Sequence, residues 1–301
     1  MSSLFTKKQK IVVHDGRFHS DDIFACAVLH LVHDGNIKIT RTRDKDAISR
    51  ADYVLDVGGV YDHSQKMYDH HQTEGAGSRE NGIPYATFGL VWKHYGYILT
   101  DHSAVFDLID RKIVQPIDAG DNGVTTYQTN FENVYPYTIQ DIVGTRAPSW
   151  NEDEEIDLDG EFHKLVLFAA DILKREIEKG ENNAQAKLFI KHDYETAENK
   201  ELVVLSDRYP FEGILPEYPE PRIVVYQGRN GLWRAEGVPV KPNDFFNRRQ
   251  YFPKEWSGLR DEALVAATGV PGALFCHRDV FMCVGQTKED VLELARQALS
   301  K

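Results

Sequence analysis

The sequence predicts an α/β fold: an N-terminal domain on a mostly parallel sheet with flanking helices, then a smaller C-terminal α+β domain. Three observations lead there. Residues 10–14 (KIVVH) are a short apolar run followed by an amphipathic stretch, and further short runs sit at 37–40 and 53–55, the spacing of a parallel sheet with right-handed crossovers. Several apolar runs stop abruptly on carboxylates, histidines and glycine, as strands of open α/β sheets do where they present a site. Near residue 200 helical periodicity gives way to short β-like runs.

Each element has a local reason. His14, Asp15 and Gly16 end the first strand. Ser20 is a suitable N-cap for a helix reaching about His33, and Asp21 and Asp22 in its first turn suit the helix dipole. Ile23, Phe24, Ala27, Val28 and Leu31 form its apolar face, and Asp34-Gly35-Asn36 is the exit turn. Ile37 and Ile39 alternate with Lys38 and Thr40 in a second strand. Tyr53, Val54 and Leu55 form a third that ends on Asp56 and is broken by Gly58 and Gly59. The chain returns through Met67 and Tyr68 to Asp69, His70 and His71. Residues 72–82 are glycine-rich and polar, the composition of a mobile loop. Residues 86–99 and 103–115 read as helices that feed into Ile117-Asp118-Ala119-Gly120-Asp121-Asn122-Gly123. Residues 127–150 show no period, and 159–197 read as one long or two shorter helices linking domains at 1–198 and 199–301. Strands follow at 202–205, 223–226, 232–238, 273–276 and 280–284, with helices at 261–267 and 287–299.

With 301 residues, 42% of them apolar, the chain can bury a sizeable core. Cys26, Cys276 and Cys283 are odd in number and lack metal-ligand spacing, which favours a reducing, cytoplasmic setting over a disulfide framework. Residues 1–10 lack the apolar core of a secretory signal, and no run approaches the ~20 apolar residues of a membrane span. A net charge of −12 weighs against gripping long duplex nucleic acid, but not against a short one held where metal ions supply positive charge. Part of that excess lies in an acidic run at 151–161, which reads as a solvated loop.

Four clusters share one composition: His14, His19 and Asp21 with Asp22; Asp56; Asp69, His70 and His71; and, more weakly, Asp118 and Asp121. Strand ends that converge on one sheet edge would bring them together. Mixed imidazole and carboxylate ligands suit Mn²⁺, Fe²⁺, Mg²⁺ or Zn²⁺ with open positions, and their number exceeds the need of one ion. Asp56 is the natural carboxylate to be shared by two ions ~3.5–4 Å apart, a pair that acidifies a bridging water and neutralises a phosphoryl oxygen. His71, next to the candidate ligand His70, is placed to protonate a leaving oxygen or to hold the phosphate. Taken singly, a strand-end aspartate is more often a turn former. Asp22 reads as a helix-terminus charge, and His30, His33, His63, His94 and His102 as surface or helix histidines.

VVHDGRFHSDDIFACAVL, DYVLDVGGVYD, YDHHQ and IDAGDNG, in that order, resemble the melanocyte-proliferating-gene exonuclease family. That family belongs to the DHH phosphoesterase superfamily, with RecJ-type nucleases, oligoribonucleases and manganese-dependent pyrophosphatases. The resemblance continues through VVYQGRNGLWRAEGVP and WSGLRDEAL to GVPGALFCH, nearly the whole chain. It implies a DHH-type metal-binding domain, a second domain across a cleft, and two divalent ions, manganese first and Mg²⁺ or Zn²⁺ as alternatives. It makes His14, His19, Asp21, Asp56 and His70 ligands, with Asp56 bridging, and His71 a phosphate contact. Asp118 takes the fourth-motif ligand role, with Asp121 as the alternative and a substrate contact. Arg260 and His277 are candidates for gripping phosphate from the second domain; for Arg260 an ion pair with Asp261 or Glu262 is the competing reading. The activity implied is 3′→5′ exonucleolytic cleavage of short RNA or single-stranded nucleic acid. No membrane partner is expected, and a homo-oligomer is left open. Two rivals stay in play: the same chemistry on a small phosphoester or pyrophosphate, and a non-catalytic protein with a structural metal pair.

Overall fold

The computed structural model describes residues 7–152, 157–242, 244 and 246–300. Residues 1–6 of the polar N-terminal stretch and 153–156 of the acidic run lie outside the described residues. The chain divides into two compact units, Met1–Glu181 and Asn182–Lys301.

The first unit holds β1 (Gln9–Val13), α1 (Ser20–Val32), β2 (Ile37–Arg41), the short α2 (Lys45–Ser49), β3 (Tyr53–Leu55), β4 (Tyr61–Asp62) and β5 (Met67–Tyr68). The sheet runs in the order β2-β1-β3-β5-β4, parallel throughout except where edge strand β4 meets β5. Consecutive residues Ile11, Val12 and Val13 are all buried, as in a sheet covered on both faces. On one face Val12, Val54 and Val57 meet Ala47, Ile48 and Met67. Helix α1 packs against α3 (Thr87–Leu99), with the Phe24 and Phe88 rings 5.3 Å apart.

After α4 (Ser103–Ile109) the helix does not stop before Asp118. It widens over Asp110–Val114 into π-helical winding and continues as α5 (Gln115–Asp121). Pro116 accounts for the widening: it has no N–H to donate, and its ring would collide with the carbonyl four residues back. A short α6 (Ile139–Gly144) begins at a Thr138–Asp141 capping box inside the region without sequence period. Helix α7 (Leu158–Thr196) is one continuous helix. The division of the chain falls within it rather than at 198/199. Composition changes at the end of α7, but Ala186 and Ile190 already belong to the second unit's core.

The second unit carries β6 (Leu202–Val204), β7 (Ile223–Gln227), β8 (Trp233–Gly237), α8 (Asp261–Thr268), β9 (Ala273–Cys276), β10 (Met282–Gly285) and α9 (Lys288–Leu299). Its sheet has the order β6-β7-β8-β10-β9, with only β6 and β7 parallel. Alternation along β7 divides the core: Ile223 and Val225 face Leu264, Leu294 and Trp256, while Val224 and Tyr226 face Phe211 and Leu215. All three cysteines are buried and unpaired. No helix among the described residues is long and apolar enough to cross a membrane.

Candidate metal centre

Strand register builds the site. Val13 lies beside Leu55, and Leu55 beside Tyr68, in parallel strands. The next residues, His14, Asp56 and Asp69, therefore leave the sheet at one level on one edge. Asp56 takes a left-handed backbone, φ 51°, which turns its carboxylate out of the strand direction. Helix α1 points its N-terminus at the same place, burying Asp21 and Asp22 in its first turn. His19, not Ser20, occupies the N-cap position, without a side-chain cap bond, and the Ser20 hydroxyl is buried without a partner. The end of α5 delivers Asp121.

Asp56 is the hub. One oxygen lies 3.2 Å from His14 Nε2; the other lies 3.4 Å from His70 Nε2 and 3.3 Å from His71 Nδ1. The Thr87 hydroxyl donates to it at 3.1 Å. His70 Nε2 is also 3.0 Å from Asp121 and 3.9 Å from Asp21, and His19 Nδ1 is 3.4 Å from Asp121. His14 Nε2 lies 3.1 Å from Asp22, so Asp22 is part of the cluster rather than a solvated helix-end charge. Three ligand groups result, all with donor atoms within 4.8 Å: His14, His19 and Asp56; Asp56, His70 and His71; and His19, Asp21 and Asp121.

Charge follows geometry. Burial alone would lower the His14 and His70 imidazoles, but their aspartates outweigh it and push them up to about 9 and about 10. Asp56, ahead of Asp69, raises His71 to about 8. Burial works to raise Asp56, yet the three histidines hold it well below the carboxylate range. Asp121 is also lowered, as His19 and His70 outweigh burial, while burial drives Asp21 up and Asp22 to about 6. His14 Nε2, His70 Nε2, Asp21 Oδ1, Asp56 Oδ2 and both Asp22 oxygens are buried with no partner in hydrogen-bond geometry. So many orphaned polar atoms aimed at one point fit a site for cations.

Asp118 stands elsewhere. Fully buried, it accepts from the Gly89 amide at 2.9 Å and pairs with Arg79 Nη1 at 2.8 Å. Among the described residues it belongs to none of the three ligand groups, whereas Asp121 belongs to one. Burial pushes Asp118 up to about 7, with Arg79 and the Gly89 amide pulling the other way. Arg79 comes from the stretch expected to be a mobile loop and is itself anchored by Asp110 at 3.0 Å. Asp69 holds His71 through its amide and ring, at 3.0 and 2.9 Å, and accepts from the Gly59 amide at 2.6 Å. His30, His33, His63, His94 and His102 stay outside the ligand groups.

Beside the cluster opens a cleft of about 480 Å³, reached by His14, His19, Asp56 and His71 and rimmed by Arg17 and Arg43. Neither arginine stood out in the sequence. In the second unit Arg260 forms no ion pair with Asp261 or Glu262 and lies over the Phe275 ring at 4.3 Å. His277 sits against the same ring, centroids 6.2 Å apart, with its Nδ1 accepting from the Asp279 amide.

The family profile labelled MYG1 exonuclease, described as an uncharacterised protein family (UPF0160), matches residues 10–299. MYG1 exonuclease of Rattus norvegicus is 30% identical over 332 residues, covering 97% of this chain and 85% of its own. MYG1 exonuclease of Homo sapiens is 30% identical, covering 97% of this chain and 86% of its own. The MYG1 protein of Chlamydia trachomatis is 31% identical over 301 residues, 97% of each chain. With the match running from within β1 to the end of α9, the chain belongs to the MYG1 exonuclease family.

Proposed function

We propose that this chain is a divalent-metal-dependent phosphodiester hydrolase with a DHH-type first domain, acting as a 3′→5′ exonuclease on short RNA or other single-stranded nucleic acid. The observation that carries it is the sharing of Asp56 between His14 on one side and His70 and His71 on the other, in an open cleft. The exonuclease name of its relatives supports the nucleic-acid assignment. His14, His19 and Asp56 would hold one ion, and Asp21, Asp56, His70 and Asp121 a second, manganese by preference. When bound, such ions supply charge neutralisation at the phosphoryl group and an acidified water.

The chain's own groups do the rest. His71, half exposed and held by Asp69, is placed to donate a proton to the departing oxygen. Asp69 fixes its ring, so the transferred proton has one direction. Three unpaired buried thiols support a reducing, cytoplasmic setting. The net charge of −12 favours a second reading, the same chemistry on a small phosphoester.

The test is hydrolysis of a 3′- or 5′-end-labelled short RNA by metal-stripped protein, with Mn²⁺, Mg²⁺ and Zn²⁺ returned separately. Stepwise shortening only with metal, lost by at least about 10³-fold in an Asp56→Asn protein that still folds, is the expected outcome. Intact RNA under every metal removes the nuclease reading, and equal loss of folding and activity in Asp56→Asn favours a structural metal pair.

A further inference from the structure

The cleft has a cationic rim that the metal ligands do not explain. Asp21, Asp22, Asp56, Asp69 and Asp121 converge beside it, so even two divalent ions leave the centre short of positive charge for a second anionic group. Among the described residues, Arg17 and Arg43 are the only lysines or arginines lining the cleft. Arg17 forms no ion pair among the described residues. Arg43 touches Asp15 only through Nε, at 3.3 Å with both side chains exposed, leaving its terminal nitrogens available.

The loop that carries Arg17 is held from both sides. Arg41, its side chain only 4% exposed, donates to the Gly16 carbonyl at 2.6 Å and to Asp159 at 3.2 Å. Its guanidinium lies 5.1 Å from the Phe18 ring and 5.2 Å from that of Phe162. Residues 16 and 18 are thereby fixed, and Arg17 between them is presented on a rigid base. The same strand end that sends Arg41 inward carries Arg43 to the rim two residues later. Gly58 and Gly59 line the cleft with no side chain; a Cβ at Gly59 would meet nothing within 4 Å.

We propose that Arg17 and Arg43 form a phosphate subsite that grips the phosphate next to the scissile one, so that preferred substrates carry at least two phosphate groups. Guanidinium forks suit this task, since they pair bidentately with phosphate and remain charged at every working pH. The proposal rests on the phosphodiesterase reading. Its test compares a 5′-phosphorylated dinucleotide with the same dinucleotide lacking that phosphate. The metal-reconstituted protein is expected to favour the phosphorylated form by on the order of tenfold in kcat/KM, expressed in KM. In Arg17→Ala/Arg43→Ala that ratio falls to near one, and in Arg43→Lys it falls part way. A ratio unchanged in the double variant overturns the subsite. Equilibrium binding of the two dinucleotides, as non-hydrolysable phosphorothioates, is measured in parallel by calorimetry. If no dinucleotide is cleaved, the nuclease reading fails while binding still decides the subsite: preference lost in the double variant supports it, and equal binding of the two ligands to the unaltered protein overturns it.

Discussion

Replacing Asp118 and Asp121 separately by asparagine tests how the centre is built. Asp118 has no exposed surface and pairs with Arg79, whose side chain is 8% exposed. Breaking a buried ion pair by removing one partner costs about 3–5 kcal/mol. Burial already pushes the Asp118 carboxyl up to about 7, Arg79 keeps Asp110 at 3.0 Å, and asparagine can still accept from the Gly89 amide, so the cost falls below that range, about 1–2 kcal/mol. For a unit of this size that lowers Tm by roughly 2–8 °C. Asp121 is different: it sits among other carboxylates and touches His19 and His70. Asp121→Asn should weaken manganese uptake by on the order of 10–100-fold. Thermal melting in chelator and calorimetric titration with Mn²⁺ read the two effects. An Asp118→Asn protein that melts like the parent and binds one ion fewer would refute the reasoning, as would an Asp121→Asn protein with full metal affinity.

Charge and space lead to three further predictions. Of the proposed ligands, His14 and His70 are raised to about 9 and about 10 in the metal-free protein, and ligation needs neutral imidazole. Manganese affinity should therefore climb from about pH 6 to about pH 8 with protons released, seen as heats that depend on buffer ionisation; a flat profile counts against the histidines as ligands. The same raised values, with that of His71 at about 8, stabilise the chelated fold fully below about pH 6.5, and that contribution is lost as pH rises through 8 to 10, so the chelated protein should melt lower at alkaline pH. A methyl group at position 89 would lie 1.8 Å from Asp118 Oδ2, so Gly89→Ala should cost at least about 2 kcal/mol; an unmoved urea midpoint would contradict the packing around Asp118.

The first half of the fold was legible because its signals are local. Apolar runs that end on His14 and Asp56 mark strand ends, and their convergence follows from parallel pairing. What failed was register and long-range pairing. Asp118 and Asp121 look equivalent in sequence, three residues apart before a glycine, and only the widened winding at Asp110–Val114 decides which one reaches the histidines. Arg79 gave no sign of its role, since its partner lies on another helix and its own neighbours are those of an unstructured loop. Asp22 carries a charge that helix termini welcome anyway, which hid its contact with His14. Arg17 and Arg43 were invisible because nothing in their spacing distinguishes a cleft rim from ordinary surface.

The order in which the site's parts occur along the chain has a consequence for synthesis. His14 and Asp56 come from strands made early, but Asp121 follows His14 by a hundred residues and more of helix and loop. At ~5–20 residues per second, a nascent chain exposes His14 for roughly 5–20 s before that carboxylate emerges. A complete ion-binding set thus exists only once Asp121 has emerged, with about 180 residues of the chain still to be made, so ion availability at the ribosome already governs how the first unit is loaded.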